Sequence, residues 1–196
     1  SADPEPEEHG TLVVDADGWV AGAQRLPSPH CDARPAGMPV ELLVVHNISL
    51  PPGEFGGDAV TDLFLGTLDC GAHPYYDTHL RGVRVSAHFL IRRDGVVLQY
   101  VPCAMRAWHA GLSSWRGRER CNDFSIGVEL EGTDEHPFTD AQYAALARLA
   151  GTLREAYPIV EATGHSDIAP GRKTDPGPCF DWARFRAEAG FAGEGV

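Results

Sequence analysis

Glu41-Leu42-Leu43-Val44-Val45-His46 is a short, nearly continuous apolar run, rich in valine and closed by a histidine. A run of this length and composition is the pattern of a β-strand buried on both faces, and it delivers His46 to the strand's carboxyl end, where a side chain is rigidly held. Working outward, residues 86–91 and 96–101 are two further strand-like runs around Arg92-Arg93-Asp94-Gly95. The Asp-Gly pair supplies the positive φ of a tight turn, so these runs predict a β-hairpin. Residues 125–130 alternate, with Ile126, Val128 and Leu130 on one face and Gly127 and Glu129 on the other, so Glu129 points away from the apolar layer.

One helix stands out. Thr139 and Gln142 form a capping box, and Tyr143, Leu146, Leu149, Ala150, Leu153 and Tyr157 make an apolar stripe that packs on the sheet until Pro158 ends it. Residues 50–83 are rich in glycine and proline around one short candidate helix, 58–65. A long loop so near His46 is expected to wall or cover a site there. There is no internal repeat and no second-domain linker.

At 196 residues the chain is long enough for one buried core, and 43% hydrophobic with 22% charged residues is ordinary for a globular protein. The formal charge of −12 argues against nucleic acid, an anionic membrane surface or a polyanionic wall polymer as main partner. A small soluble ligand in a locally basic pocket is easier to reconcile, and no obligate protein partner is evident. No apolar run reaches the length of a membrane span. The acidic, proline-containing start has no basic or apolar signal region, so residues 1–17 are expected to be a disordered tail and 18–196 the folded domain. The five cysteines, odd in number and without a Cys-x-x-Cys pair, fit scattered thiols in a reducing, cytoplasmic compartment.

The stretch from His165 to Asp175 holds a second histidine, a carboxylate and Lys173. If His46, His165 and Asp175 converge, they leave a fourth zinc position open, as a catalytic zinc requires. Spacing alone does not bring them together. On spacing alone His46 reads better as a strand-end histidine satisfied by backbone, and Asp175 as an Asp-Pro turn residue.

Whole phrases change that weighting. Val45-His46-Asn47-Ile48-Ser49-Leu50-Pro51-Pro52-Gly53, Val85-Ser86-Ala87-His88-Phe89-Leu90-Ile91, Arg120-Cys121-Asn122-Asp123-Phe124-Ser125-Ile126-Gly127-Val128-Glu129 and Arg172-Lys173-Thr174-Asp175-Pro176-Gly177-Pro178 follow one another. In that order they resemble the AmpD-type N-acetylmuramyl-L-alanine amidases, over about residues 18–185. Four long phrases in register are far more specific than a single short motif.

The resemblance implies an α+β fold, a mixed central β-sheet flanked by α-helices as in peptidoglycan-recognition proteins. It implies one zinc ion per chain held by His46, His165 and Asp175, with Glu129 as general base and Lys173 stabilising an oxyanion. Asn47, Tyr75, Arg84, Trp108 and Arg120 match positions that meet substrate, Arg120 through a stem-peptide carboxylate. More distant peptidoglycan-recognition and phage-lysozyme relatives place cysteine as third ligand. Here Asp175 stands there, and Cys179 comes too late to replace it.

The activity implied is hydrolysis of the amide between N-acetylmuramic acid and L-alanine in soluble muropeptides, in bacterial cell-wall recycling. An exported amidase acting on intact wall and a non-catalytic peptidoglycan-binding module are the rivals, and retention of Glu129 and Lys173 with all three ligands speaks against the second. His88 reads as a packed core residue, His109 as a residue lining the pocket, and Glu131, before the Gly132-Thr133 exit, as a solvated one.

Overall fold

The structure is a computed structural model, and residues 12–192 are described. The elements in chain order are β1 (Val13–Val14), β2 (Val20–Ala21), β3 (Gln24–Arg25), β4 (Cys31–Ala33), β5 (Leu42–Ile48), α1 (Ala59–Leu65) and α2 (Pro74–His79). They continue with β6 (Phe89–Ile91), β7 (Val97–Gln99), β8 (Met105–Ala107), β9 (Ser114–Trp115), β10 (Arg118–Glu119), β11 (Ser125–Glu131), α3 (Asp140–Ala156), β12 (Glu161–Gly164), α4 (His165–Ile168) and α5 (Trp182–Ala189). Six strands form a mixed sheet in the order β12-β5-β11-β6-β7-β3. The chain therefore has the α+β architecture that the family resemblance implies.

The opening run is strand β5, buried from Leu42 to His46 and extended two residues beyond the histidine. It lies between β12 and β11 and is parallel to both, with His46 directly opposite Glu129. That central position explains why both of its faces had to be apolar. The hairpin forms as expected, Leu90 opposite Leu98 across a turn with Gly95 at φ 87°.

Helix α3 begins at the full Thr139–Gln142 capping box. It lays Leu146, Leu149 and Leu153 against Ile126, Val128 and Leu130 of β11 and Leu43 and Val45 of β5. Burial of each such leucine contributes ~1.5–3 kcal/mol. One face of β11 thus serves this core, and Ser125, Gly127, Glu129 and Glu131 lie on the other.

Two expectations change. The acidic tail was to run from 1 to 17; residues 1–11 of it lie outside the described residues, but 12–17 are ordered. Leu12 is in the core, Val13–Val14 pairs with Val20–Ala21, and the Asp15 carboxylate accepts the amides of Asp17, Gly18 and Trp19. Apolar Leu12-Val13-Val14 outweighs the acidic composition before it. The segment 50–83 also holds a second helix, α2, because Pro74 occupies its first turn, where no amide is needed, and the His73 ring accepts the Tyr75 amide.

His88 is a core residue, as expected. Its ring is fully buried, Nε2 donates to the Met105 carbonyl at 2.9 Å and Nδ1 accepts the Gly127 amide at 3.1 Å. Burial, then the neighbouring Arg34 charge, pushes its pKa from 6.5 down to about 3. A base depressed in the folded state contributes stability that is complete above pH 6.5 and is lost as pH falls toward 3, at up to ~1.4 kcal/mol per pH unit. An NMR titration is expected to show the His88 ring neutral at pH 5 in the folded protein. Protonation near pH 6.5 would refute the burial argument.

Candidate metal centre and active site

Three elements converge at the carboxyl end of the parallel strands. His46 comes from β5, His165 from the first residue of α4 directly after β12, and Asp175 from the loop that follows. His46 Nδ1 lies 3.0 Å from His165 Nδ1 and 3.0 Å from Asp175 Oδ2, and His165 Nδ1 lies 3.3 Å from the same carboxylate oxygen. Zinc bonds of ~2.0–2.1 Å at tetrahedral angles separate donor atoms by about 3.3 Å, so the three donors have the spacing of one ion's ligands.

The electrostatics agree. Burial lowers the pKa of His46 against the opposing pull of Asp175, which favours the neutral imidazole that a metal needs. Burial pushes Asp175 up, but hydrogen bonds with His165 and His46 outweigh it and hold the carboxyl well below the usual range.

Glu129 faces this cluster. Its Oε1 lies 3.8 Å from His46 Nδ1, and its buried Oε2 has no hydrogen-bond partner among the described residues. Burial, then Asp175, drives its pKa well above the carboxylate range, while Lys173 opposes the rise. A carboxylate kept ready to bind a proton, aimed at a cluster of metal donors, has the environment of a general base. Lys173 is exposed on the cleft wall beside Asp175.

The cleft above these groups has a volume of about 720 Å³ and is lined by His46, Glu129, His165, Lys173 and Asp175, with Asn47, Tyr75 and Trp108. Arg84 and Arg120 are not brought there. Arg84 lines a separate cavity of about 430 Å³ behind Leu63 and Leu80. Arg120, with φ 54°, is three-quarters exposed and pairs with Asp123 at 3.6 Å. Contact with either would need a ligand that passes the cleft rim or a side chain that swings inward.

The chain matches the family described as N-acetylmuramoyl-L-alanine amidase over residues 36–178. It belongs to that family. Among relatives, it is 62% identical over 173 residues to the 1,6-anhydro-N-acetylmuramyl-L-alanine amidase AmpD of Citrobacter freundii, covering 87% of this chain and 92% of that protein. The AmpD of Escherichia coli K12 is also 62% identical, over 86% of this chain and 93% of its own length. A crystal structure of a selenomethionine AmpD derivative superposes with a TM-score of 0.87 at 62% identity, covering 90% of this chain and 98% of that one. The Escherichia coli amidase AmiD, solved with the substrate anhydro-N-acetylmuramic acid-L-Ala-D-gamma-Glu-L-Lys, matches at a TM-score of 0.59 and 30% identity, over 93% of this chain and 67% of that one.

Around the three candidate donors this N-acetylmuramoyl-L-alanine amidase carries supports that its sequence does not announce. Asn47, expected to meet substrate, donates to Asp134 at 2.7 Å and to the Pro176 carbonyl at 3.0 Å. Asp134 also accepts from Thr174, so Asn47 and Asp134 together tie the Lys173–Asp175 loop to β5. Gly177 lacks a Cβ where one would come within 2.6 Å of Asp134, which keeps this tie short.

Glu131 is a correction. Far from solvated, it is buried, and its oxygens accept the amides of Gly56 at 2.8 Å and Arg93 at 3.0 Å. It therefore pins the start of the 50–83 segment over the sheet. Nothing local in sequence foretells this, because the partners are 75 and 38 residues away.

Proposed function

We propose that the protein is a zinc-dependent amidase that cleaves the bond between the lactyl group of N-acetylmuramic acid and L-alanine, with 1,6-anhydromuropeptides as its substrates. The observation that carries the zinc reading is the set of three donors, His46, His165 and Asp175, whose candidate ligand atoms all lie within 4.8 Å of one another. Two imidazole nitrogens and a carboxylate oxygen are a donor set zinc accepts, and three protein ligands leave a fourth place for water or substrate. When bound, zinc supplies Lewis acidity, polarising a carbonyl and lowering the pKa of water from ~15.7 toward ~7.

The protein's own groups do the rest. Glu129 accepts the proton of the attacking water and can pass it to the leaving amine of L-alanine, since burial and the neighbouring Asp175 raise its pKa and so strengthen it as a base. Lys173 offers its ammonium to the developing oxyanion from the cleft wall. Trp108 and Tyr75 present aromatic surface to the sugar and peptide. The anhydromuropeptide assignment is supported by identity of 60–62% to amidases named for that substrate.

The cytoplasm is the proposed compartment and a soluble muropeptide the proposed partner, in bacterial cell-wall recycling. Supporting this, the net charge is −12, and no helix of the described residues is long and apolar enough to cross a membrane. The zinc-loaded protein mixed with a 1,6-anhydromuropeptide is expected to release free peptide, visible by mass spectrometry. A chelator should stop release and added zinc restore it. Release undiminished after complete metal removal would sink the zinc mechanism.

A further inference from the structure

The two ligand imidazoles are held from behind in different ways. His165 Nε2 lies 3.0 Å from the Ala110 carbonyl, which can only accept. That nitrogen therefore carries the hydrogen, and His165 Nδ1 turns a lone pair to the metal centre. His46 Nε2 instead faces a third imidazole, His109, whose Nδ1 is 2.8 Å away and can accept or donate. The far nitrogen of His109, Nε2, lies 3.0 Å from the hydroxyl of Ser125.

Two hydrogen arrangements satisfy this row. In one, His46 Nε2–H donates to His109 and His109 Nε2–H donates to Ser125, so His46 Nδ1 offers a lone pair to the ligand cluster. In the other every direction reverses, and His46 Nδ1 carries the hydrogen toward Asp175. Each ring keeps one proton in both, so no charge changes. Only the first can bind a metal.

The row is built rather than incidental. Asn122 Oδ1 accepts both the His109 amide, at 3.1 Å, and the Ala110 amide, at 2.8 Å. One side chain thus pins the two adjacent residues that serve the two ligand imidazoles. Gly127 makes room, since a Cβ there would come within 2.5 Å of the His109 ring. Ser125, Gly127 and Glu129 share one face of β11, so a single strand receives His109, clears its ring and carries the base.

We infer that His109 is a positioning residue which, seated on Ser125 and Gly127, accepts the His46 Nε2 hydrogen and so holds His46 in its metal-binding tautomer. This rests on the zinc reading above. Removal of such an outer partner weakens metal affinity by ~10- to 100-fold.

The test compares zinc affinity by chelator competition in wild type, His109→Phe and His109→Asn, together with a long-range ¹H–¹⁵N NMR spectrum of the zinc-loaded wild type. His109→Phe is expected to bind zinc ~10- to 100-fold more weakly. His109→Asn, whose amide oxygen can still accept, should recover most of the loss. The wild-type spectrum should place the proton on Nε2 of both His46 and His109, a result that needs no variant to fold. Equal affinity in wild type and His109→Phe would overturn the inference alone. So would equal weakness of both variants, or a His109 proton on Nδ1 in the zinc-loaded protein. A wild type that takes up no zinc would overturn the zinc reading, and this inference with it.

Discussion

Glu129→Gln is expected to keep its zinc and lose ~10²- to 10⁴-fold of turnover, the share a general base supplies. The side chain keeps its volume but can no longer accept a proton, so the fall belongs to kcat. Stability should move the other way. A buried carboxyl whose folded pKa is raised holds its proton longer than the unfolded chain does, so it destabilises the fold increasingly as pH rises from 4.5 toward the folded value. Glutamine removes that penalty. The metal-free variant is therefore expected to melt no lower than metal-free wild type at neutral pH, and kinetics beside thermal unfolding check both signs. Wild-type turnover in Glu129→Gln would place the base elsewhere.

His165→Ala is expected to abolish zinc uptake and activity together. It leaves two of three ligands and removes the imidazole whose Nδ1 lies 3.0 Å from that of His46. The control is His136→Ala, which alters an exposed histidine on the same cleft wall and should leave one zinc per chain. Elemental analysis after dialysis separates the two. A full zinc complement in His165→Ala would remove it from the ligand set.

Short-range features were legible because their causes are local. The valine-rich run, the Asp-Gly turn and the Thr139–Gln142 box each place cause and effect within a few residues, and β5, the hairpin and α3 follow. The convergence of His46, His165 and Asp175 was foreseen only through resemblance. His46 and His165 are 119 residues apart, and no periodicity says that two parallel strands will bring them to one end of the sheet. The supports were less legible still. Ser125 and Gly127 look like small residues on the polar side of an alternating strand, and only the fold shows that an imidazole lies across them. Glu131 misled because its neighbours Gly132 and Thr133 signal a strand end, whereas the covering loop comes from far upstream.

The parallel pairing of β5 with β11 runs unbroken from Leu42↔Ser125 to Ile48↔Glu131, with His46 across from Glu129. Because side chains alternate every residue, these strands can drift by substitution but not by length. One codon gained between Leu42 and His46 would move the imidazole to the position of Asn47, on the opposite face of the strand, and put Val45 in its place, while an isoleucine for Val44 alters only packing. Homologous genes should therefore vary freely in the length of the 50–83 segment yet show no insertions or deletions inside these two strands. A library of single-residue insertions scored for activity should show a window of lost activity there, as sharply bounded as the strands themselves.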